Sequence, residues 1–345
     1  MNELLSRLKI KLPVIQAPMA GVQDAALALA VARSGGLGSL PAAMLTPEKL
    51  REALVRWRSE TDLPVNVNFF CHQPPDHDEA QLAAWLARLD PYYQELAIEP
   101  KAASGGRSPF AAALLDVLVE TTPAVVSFHF GLPDDNLLDA LYATGTTVIS
   151  SATTVAEARW LEEKGVHAII AQGVEAGGHR GLFLSDDLNT QIGTMALLPQ
   201  IVDAVSVPVI AAGGIADAAG VHAAQVLGAS AVQIGTTFLR TPEATTSLLH
   251  RRALADPENI AVLTNVFSGR PARGLVNRAI RELGPISDLA PAFPLAANGL
   301  APLRQAAEAA GSADFTPLWS GQNRSGCVDK PAGEIVRALA SGWKS

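Results

Sequence analysis

The segment AIIAQGVEAGGHRG, residues 168–181, joins an apolar run to a glycine-rich stretch that contains one histidine, His179. Small and β-branched residues in the apolar run predict a buried strand, and the glycines predict a loop directly after it. Glycines let a backbone approach a ligand closely, and an imidazole can transfer protons near neutral pH. We therefore interpret the segment as an active-site loop. The alternative is a glycine-rich turn with a solvated histidine.

Outward from this segment, short apolar runs alternate with helical patterns. Each run is apolar throughout rather than on one face, which is typical of a parallel sheet covered on both sides. The eight predicted strands are residues 13–18, 37–40, 65–69, 124–128, 147–150, 168–171, 209–212 and 231–234. This alternation predicts an α/β fold, a (βα)8 TIM barrel. A doubly wound open sheet is the alternative, and it is disfavoured because no Gly-x-Gly-x-x-Gly follows a predicted strand.

Two long segments do not follow the alternation. Residues 72–120 carry two predicted helices between the third and fourth strands, and the strand rhythm stops after Phe238. We therefore expect the barrel to comprise residues 1–241 and 312–345. A small, mainly helical second domain, residues 242–311, is predicted to be inserted near the C-terminus on the substrate side.

Composition limits the classes of function. The 345 residues are 48% hydrophobic and carry a formal net charge of −8, without the clustered Lys and Arg that a nucleic-acid-binding protein needs. Gly, Pro or charged residues interrupt every apolar run, so no membrane span is expected. Cys71 and Cys327 are far apart and form no metal or redox spacing. These features predict a soluble protein in a reducing, cytoplasmic setting. Its partners are expected to be small molecules, and a monomer or a homodimer is expected.

Two glycine-containing loops follow the last two predicted strands. Gly213 and Gly214 open a predicted helix after strand seven, and residues 233–236 follow strand eight with Gly235 and Thr236. In parallel barrels a phosphate commonly binds on these two loops, where backbone N–H groups face an anion. The two loops together predict a phosphate site; tight turns needed only to reverse the chain are the alternative.

Polar side chains also end several other predicted strands. Asn68, His129 and Gln172 each stand where a packed core would not favour a polar group. Amide groups beside a phosphate site suit a planar, hydrogen-bonding cofactor, and flavin mononucleotide (FMN) fits, with its ring near Met19. Taken singly, each of these residues could instead bond to neighbouring backbone.

Several motifs in a fixed order resemble those of the nitronate monooxygenases, formerly called 2-nitropropane dioxygenases, and of their class I branch in particular. The motifs are PVIQAPMAG at residues 13–21, NVNFF at 66–70, SFHFGLP at 127–133, GVEAGGHRG at 173–181 and AAGGIAD at 211–217. The resemblance covers nearly the whole chain. It implies an FMN-containing barrel that oxidises alkyl nitronates, such as propionate 3-nitronate, with O2 to a carbonyl compound and nitrite, without a nicotinamide coenzyme.

The resemblance also implies roles for individual residues. His179 matches the catalytic histidine, which would remove the α-proton of a nitroalkane or hold a nitronate, and His129 matches a position on the substrate side. The positions that match flavin contacts are Met19, Asn68, Gln172, Gly177, Gly178, Gly213, Gly214, Gln233, Ile234, Gly235 and Thr236.

Other polar clusters have simpler interpretations. Cys71 and His72, with Asp76, His77 and Asp78, could form a metal site, but adjacent prolines and irregular spacing favour a solvated loop, so no metal is expected. Glu175 is interpreted as structural. A salt-bridged, solvated face is favoured over an anion clamp for the arginines at 270, 273, 278 and 281.

Three other functions remain open from the sequence. A related flavin barrel could be an NAD(P)H-dependent quinone or enoyl reductase. A flavin-free barrel could be an isomerase or lyase that uses the same phosphate site. A flavin-binding protein without catalysis is the third.

Overall fold

The computed structural model describes residues 3–76, 78–100 and 108–344. Eight strands form one parallel sheet: β1 Val14–Gln16, β2 Gly38–Pro41, β3 Val65–Phe70, β4 Val125–His129, β5 Thr147–Ala152, β6 Ala168–Gln172, β8 Val209–Ala212 and β9 Ala231–Ile234. Their order in the sheet is β1-β9-β8-β6-β5-β4-β3-β2. Three shorter strands form an antiparallel sheet, β7 Gly178–His179, β10 Ala261–Thr264 and β11 Ala272–Leu275.

The eight-stranded sheet closes into a barrel. Val14 of β1 is in register with Val232 of β9, and a parallel bridge between Ile15 and Leu37 joins β1 to the beginning of β2. All eight predicted strands are present in the predicted order, so the TIM barrel is confirmed. The open doubly wound sheet is wrong because its first and last strands would not meet.

Helices surround the barrel and fill the connections. They are α1 Glu3–Leu8, α2 Ala25–Arg33, α3 Pro47–Glu60, α4 Glu79–Glu95, α5 Ala112–Thr121, α6 Asp135–Ala143, α7 Val155–Glu163, α8 Thr194–Ala204, α9 Ala218–Val226, α10 Leu248–Ala255, α11 Arg278–Leu283, α12 Ala296–Ala309 and α13 Ala332–Ala340. Within the described residues, no helix has both the length and the apolarity needed to cross a bilayer.

Two apolar layers hold the barrel together. One lies between the strands and the surrounding helices, where Leu27 and Leu161 are fully buried. The other fills the interior of the barrel, where Leu4 and Leu8 of α1 pack against strand residues such as Ile15. Helix α1 thereby covers the end of the barrel at which the strands begin, and the opposite end stays available for ligands.

Outside the barrel, a separate apolar cluster joins parts of the chain that are distant in sequence. Trp85 and Tyr93 of α4 pack in one cluster with Leu300 and Leu303 of α12. The residue 242–311 segment therefore shares its core with the insertion between β3 and β4. It also contains the β10–β11 hairpin, so describing it as mainly helical is incomplete, and the domain division stays a prediction.

Strand β2 packs so closely against α2 that Gly38 has no room for a side chain. A Cβ added at Gly38 would overlap the backbone carbonyl of Ala28 in α2, and neither backbone can move without disturbing the barrel. Gly38→Ala should therefore lower the free energy of unfolding by about 3 kcal/mol or more. A Cβ at Gly220 in α9 would make only ordinary contacts, with no neighbouring atom nearer than 3.4 Å, so Gly220→Ala is the matched control. Thermal and urea unfolding of both variants measure the difference, and an unchanged Gly38→Ala midpoint would contradict it.

Candidate active site

A deep cleft opens at the end of the barrel where the eight strands finish. Its volume is about 1330 Å³ when the open solvent at the mouth is included. All the residues that the sequence predicted for the site line this one cleft: Met19, Asn68, His129, Gln172, Gly177, Gly178, His179, Gly213, Gly214, Gln233, Ile234, Gly235 and Thr236. The fold thus brings the predicted residues together, and the role of each stays a prediction.

His179 lies in β7, the short strand that follows the β6 loop. Ala272 and Arg273 of β11 pair with His179 and Gly178, so the hairpin outside the barrel fixes the backbone of the histidine. The imidazole is half-buried, and its Nε2 lies 2.9 Å from Ser268 Oγ. The ring centroids of Phe293 and Trp319 lie 5.3 and 5.6 Å from that of His179. One face of the cleft is therefore aromatic around the imidazole.

The backbone carbonyl of His179 receives two side-chain donors. Gln172 Nε2 donates to it at 3.0 Å, and His129 Nε2 lies 3.2 Å from it. Gln172 Oε1 in turn accepts from the N–H of Gly181 at 2.8 Å. Much of the Gln172 amide is thus used to hold the loop, which leaves one N–H and one lone pair for a ligand.

His129 is neutral at ordinary pH. Burial lowers the pKa of His129 to about 3, against a smaller raising effect of the bond to the His179 carbonyl, and the charges of Arg270 and Arg180 also lower it. Since a carbonyl can only accept, the proton of His129 is on Nε2, and Nδ1 accepts from Ser151 Oγ at 2.5 Å. Both nitrogens are therefore engaged by protein, and the ring supports the His179 backbone from within the cleft.

Two buried guanidinium groups hold the carbonyl groups at the end of β6. Arg180, fully buried, donates at 2.7 Å to each of the carbonyls of Gln172 and Gly173. Arg273 donates to the Val174 carbonyl at 2.9 Å. Burial lowers the pKa of Arg180 to about 9, so it remains cationic at neutral pH. The loop that carries His179 is therefore fixed at three consecutive carbonyl groups.

The predicted solvated arginine face is wrong for two of its four members. Arg273 is 5% exposed, and Arg270 lies over the ring of Phe130 and donates to the Leu182 carbonyl. Arg278 is salt-bridged to Glu95 and Glu282, as expected, and Arg281 is exposed. Arg273 donates to the carbonyls of Val174 and Ala261, and the half-buried Arg270 donates to that of Leu182. A count of charged residues does not reveal these contacts.

Glu175 has the structural role that the sequence predicted. Its carboxylate accepts from the N–H of Thr194 at 2.9 Å and from Thr194 Oγ1 at 2.8 Å, at the first residue of α8. Carboxylates stabilise helix N-termini because the first N–H groups have no partner within the helix. Glu175 thus ties the His179 loop to α8.

The two loops predicted to bind phosphate follow the neighbouring strands β8 and β9 and line the same cleft. Gly213 and Gly214 have φ values of 115° and 71°, a region that favours glycine. Among the described residues, no protein acceptor binds the backbone N–H groups of Gly214, Ile215, Gly235 and Thr236. Asp217 caps α9 by accepting from Gly220 N, so the loop amides rather than the helix end are available to an anion.

Two amide side chains in the cleft keep hydrogen-bonding capacity. Asn68 Nδ2 donates to Ser127 Oγ at 3.0 Å, and its Oδ1 has no hydrogen-bond partner in the described part of the chain. Gln233 Oε1 is buried and has no partner there either. A buried amide oxygen without a donor is costly, so Gln233 indicates a ligand with an N–H or O–H group at this position.

The sequence did not predict the contribution of residues 319–323. Trp319, Ser320, Gly321 and Asn323 line the cleft, and Gly321 N donates to Thr236 Oγ1 at 2.9 Å. His250 Nε2 contacts the Trp319 carbonyl at 3.1 Å. No local pattern marks this segment, because its place in the cleft depends on contacts with α10 and with the loop after β9.

The predicted solvated loop at Cys71 is also only partly correct. Cys71 and His72 are buried, and His72 packs against Phe293 with ring centroids 4.8 Å apart, whereas Asp76 and Asp78 are exposed. His77 lies outside the described residues. No group of three metal-ligating side chains occurs within the ranges that the structure describes.

Comparison with known proteins gives consistent matches over the whole chain. A family model described as nitronate monooxygenase matches residues 2–342. The nitronate monooxygenase of Pseudomonas aeruginosa is 43% identical over 340 residues, which cover 96% of each chain. That of Paraburkholderia phytofirmans is 41% identical over 342 residues, covering 97% of this chain and 93% of its own.

Solved structures agree with these sequence matches. A nitroalkane oxidase from Streptomyces ansochromogenes is 41% identical, with a TM-score of 0.89 over 98% of this chain and 97% of its own. FabK from Thermotoga maritima is 27% identical, with a TM-score of 0.75 over 99% of this chain and 96% of its own.

The buried histidines make stability depend on pH. Burial lowers the pKa of His250 to about 4, whereas an unfolded histidine titrates near 6.5. The unfolded chain therefore binds a proton that the folded chain excludes, so the contribution of His250 is complete above pH 7 and is lost as pH falls from 6.5 towards 4. At pH 5 the loss should be about 2 kcal/mol. Glutamine does not titrate, so in His250→Gln the loss of unfolding free energy between pH 7 and pH 5 should be smaller by about 2 kcal/mol. Equal pH dependence in both proteins would contradict the assignment.

Proposed function

The chain belongs to the nitronate monooxygenase family, and we propose that it uses FMN to oxidise alkyl nitronates, propionate 3-nitronate among them, with O2 to a carbonyl compound and nitrite. The enzyme class is that of the family, a flavin-type oxidoreductase. One observation carries the proposal: three features line the same cleft. They are His179, the buried amide oxygen of Gln233, which needs a donor, and the backbone N–H groups of the last two loops, which have no acceptor among the described residues.

The residues of the cleft fit FMN. The backbone N–H groups at Gly214, Ile215, Gly235 and Thr236 would hold the phosphate, and Thr236 Oγ1, which accepts from Gly321, can donate its own proton. Asn68 Oδ1 and Gln233 Oε1 would accept from the ring, beside the thioether of Met19. The redox chemistry, oxidation of the substrate and reduction of O2, is supplied by the bound flavin.

The protein itself supplies orientation and proton transfer. His179 would remove the α-proton of a neutral nitroalkane, or in its cationic form offset the negative charge of a nitronate. The aromatic wall formed by Phe70, Phe293 and Trp319 keeps water from one side of the imidazole. A cytoplasmic setting and a monomeric or homodimeric state remain predictions.

Replacement of His179 tests the catalytic role. His179→Asn should keep bound FMN, because the cofactor contacts lie on other residues, while the nitroalkane rate falls about 100-fold or more. Nitrite release measures the rate, and the visible flavin absorbance measures occupancy. His222→Asn, on the exposed side of α9, is the control. An unaltered rate of nitroalkane oxidation in His179→Asn would exclude His179 as the base.

Replacement of Gln233 tests the cofactor site separately. Gln233→Leu removes the acceptor but keeps the approximate volume, so it should weaken FMN binding about tenfold, the loss expected for one buried hydrogen bond. Fluorescence titration of the apoprotein with FMN measures the dissociation constant. Gln73→Leu, at an exposed position outside the cleft, is the control. Equal affinity in the two variants would argue against a ring contact at Gln233.

The purified protein also distinguishes the three alternative functions: the reductase, the flavin-free barrel and the binding protein. Rapid anaerobic bleaching of the flavin by NADH or NADPH would favour the reductase. A colourless protein that does not take up FMN would favour the flavin-free barrel. A yellow protein inert to nitronates and to reduced coenzymes would favour a binding role.

A further inference from the structure

Ser268 contacts the His179 ring through a hydrogen bond and comes from outside the barrel. It lies in the turn between β10 and β11, 5% exposed, and its hydroxyl meets His179 Nε2 at 2.9 Å. The turn is rigid, since Gly269 N donates to Asn265 O at 2.7 Å and a Cβ at Gly269 would overlap the Pro291 carbonyl. The hydroxyl is therefore held at a fixed position beside the imidazole.

The hydrogen-bond partners of this hydroxyl favour the tautomer of His179 that carries its proton on Nε2. Ser268 Oγ also lies 3.2 Å from the Arg270 carbonyl and 3.4 Å from the Arg270 N–H. A hydroxyl has one proton and two lone pairs. If it donates to the Arg270 carbonyl, it can accept from both Arg270 N–H and His179 Nε2–H, and all three neighbours are satisfied. If it donated to Nε2 instead, the Arg270 carbonyl would lose this donor.

We propose that Ser268 is a positioning residue that holds the neutral His179 with its proton on Nε2, so that Nδ1 acts as the base toward a neutral nitroalkane. This inference rests on the proposed function. In the step, the α-proton of the nitroalkane moves to Nδ1, and the C–H electron pair stays on the substrate and delocalises into the nitro group. The products are a nitronate anion and an imidazolium whose Nε2–H still donates to Ser268.

The ring has little freedom to leave this arrangement. Phe70, Phe293 and Trp319 surround it with centroid distances of 6.2, 5.3 and 5.6 Å. Its own backbone is held by the Gln172 and His129 donors and by pairing with Ala272. Ser268 thus sets the proton position of a ring whose place is already defined, so its loss should affect proton abstraction more than folding.

The test compares a substrate that needs a base with one that does not. The FMN-loaded full chain is assayed for kcat/KM with nitroethane and with ethyl nitronate, as wild type, Ser268→Ala and Ser268→Thr. Ser268→Ala should lower the nitroethane value about tenfold or more and leave the ethyl nitronate value within about threefold. Ser268→Thr keeps the hydroxyl and should restore nitroethane turnover. The deuterium isotope effect with α-dideuterated nitroethane should increase in Ser268→Ala.

A control and the contrary outcomes separate this inference from the proposed function. Ser59, an exposed serine that also donates to a backbone carbonyl, provides the control variant Ser59→Ala. Wild-type activity on ethyl nitronate but not on nitroethane would overturn the inference and leave the proposed function standing. Activity on neither substrate would overturn both. Equal loss on both substrates, no loss in Ser268→Ala, or no rescue by Ser268→Thr would each overturn the positioning role.

Discussion

Closure of the parallel sheet is the constraint on which the site depends. Strand β1 pairs with β9 on one side and meets β2 through Ile15 and Leu37 on the other. Because all eight strands run in the same direction, their carboxyl ends share one rim, and Met19 and Gln233 face a single cleft despite their separation in the chain. The leucines of α1 pack into the opposite end, and the cleft opens on the rim side.

Buried charge holds the His179 loop in place together with the pairing of β7 and β11. Removing a guanidinium from water is costly unless its donors find acceptors, and the carbonyls at the end of β6 provide them for Arg180 and Arg273. Glu175 fixes the same loop to α8 through Thr194. These contacts hold the imidazole in place before a substrate arrives, which lowers the entropy cost of reaching a reactive geometry.

The segments outside the barrel complete a site that the barrel alone leaves open. The β10–β11 hairpin extends β7 and supplies Ser268, and Trp319 from the returning chain closes the aromatic wall beside His179. The hairpin belongs to the same apolar unit as α4 and α12, because Val266 in its turn is part of their cluster. In the proposed function, the loops after the barrel strands would bind the cofactor and the added segments would contact the substrate. Cofactor binding and substrate preference could then vary separately.

The sequence by itself determined the barrel and the order of its loops, because apolar runs and glycines report local geometry. It therefore located His179, the Gly213–Gly214 loop and the polar strand ends before any contact was known. Only the tertiary structure showed that Ser268 and Trp319 reach the histidine, since pairing between β7 and β11 joins segments with no shared local pattern. It also showed that Arg273 and His72 are buried and that Arg270 lies over the ring of Phe130. Residue type predicts exposure for charged groups, and only the folded chain supplies the backbone carbonyls and aromatic rings that make their burial possible.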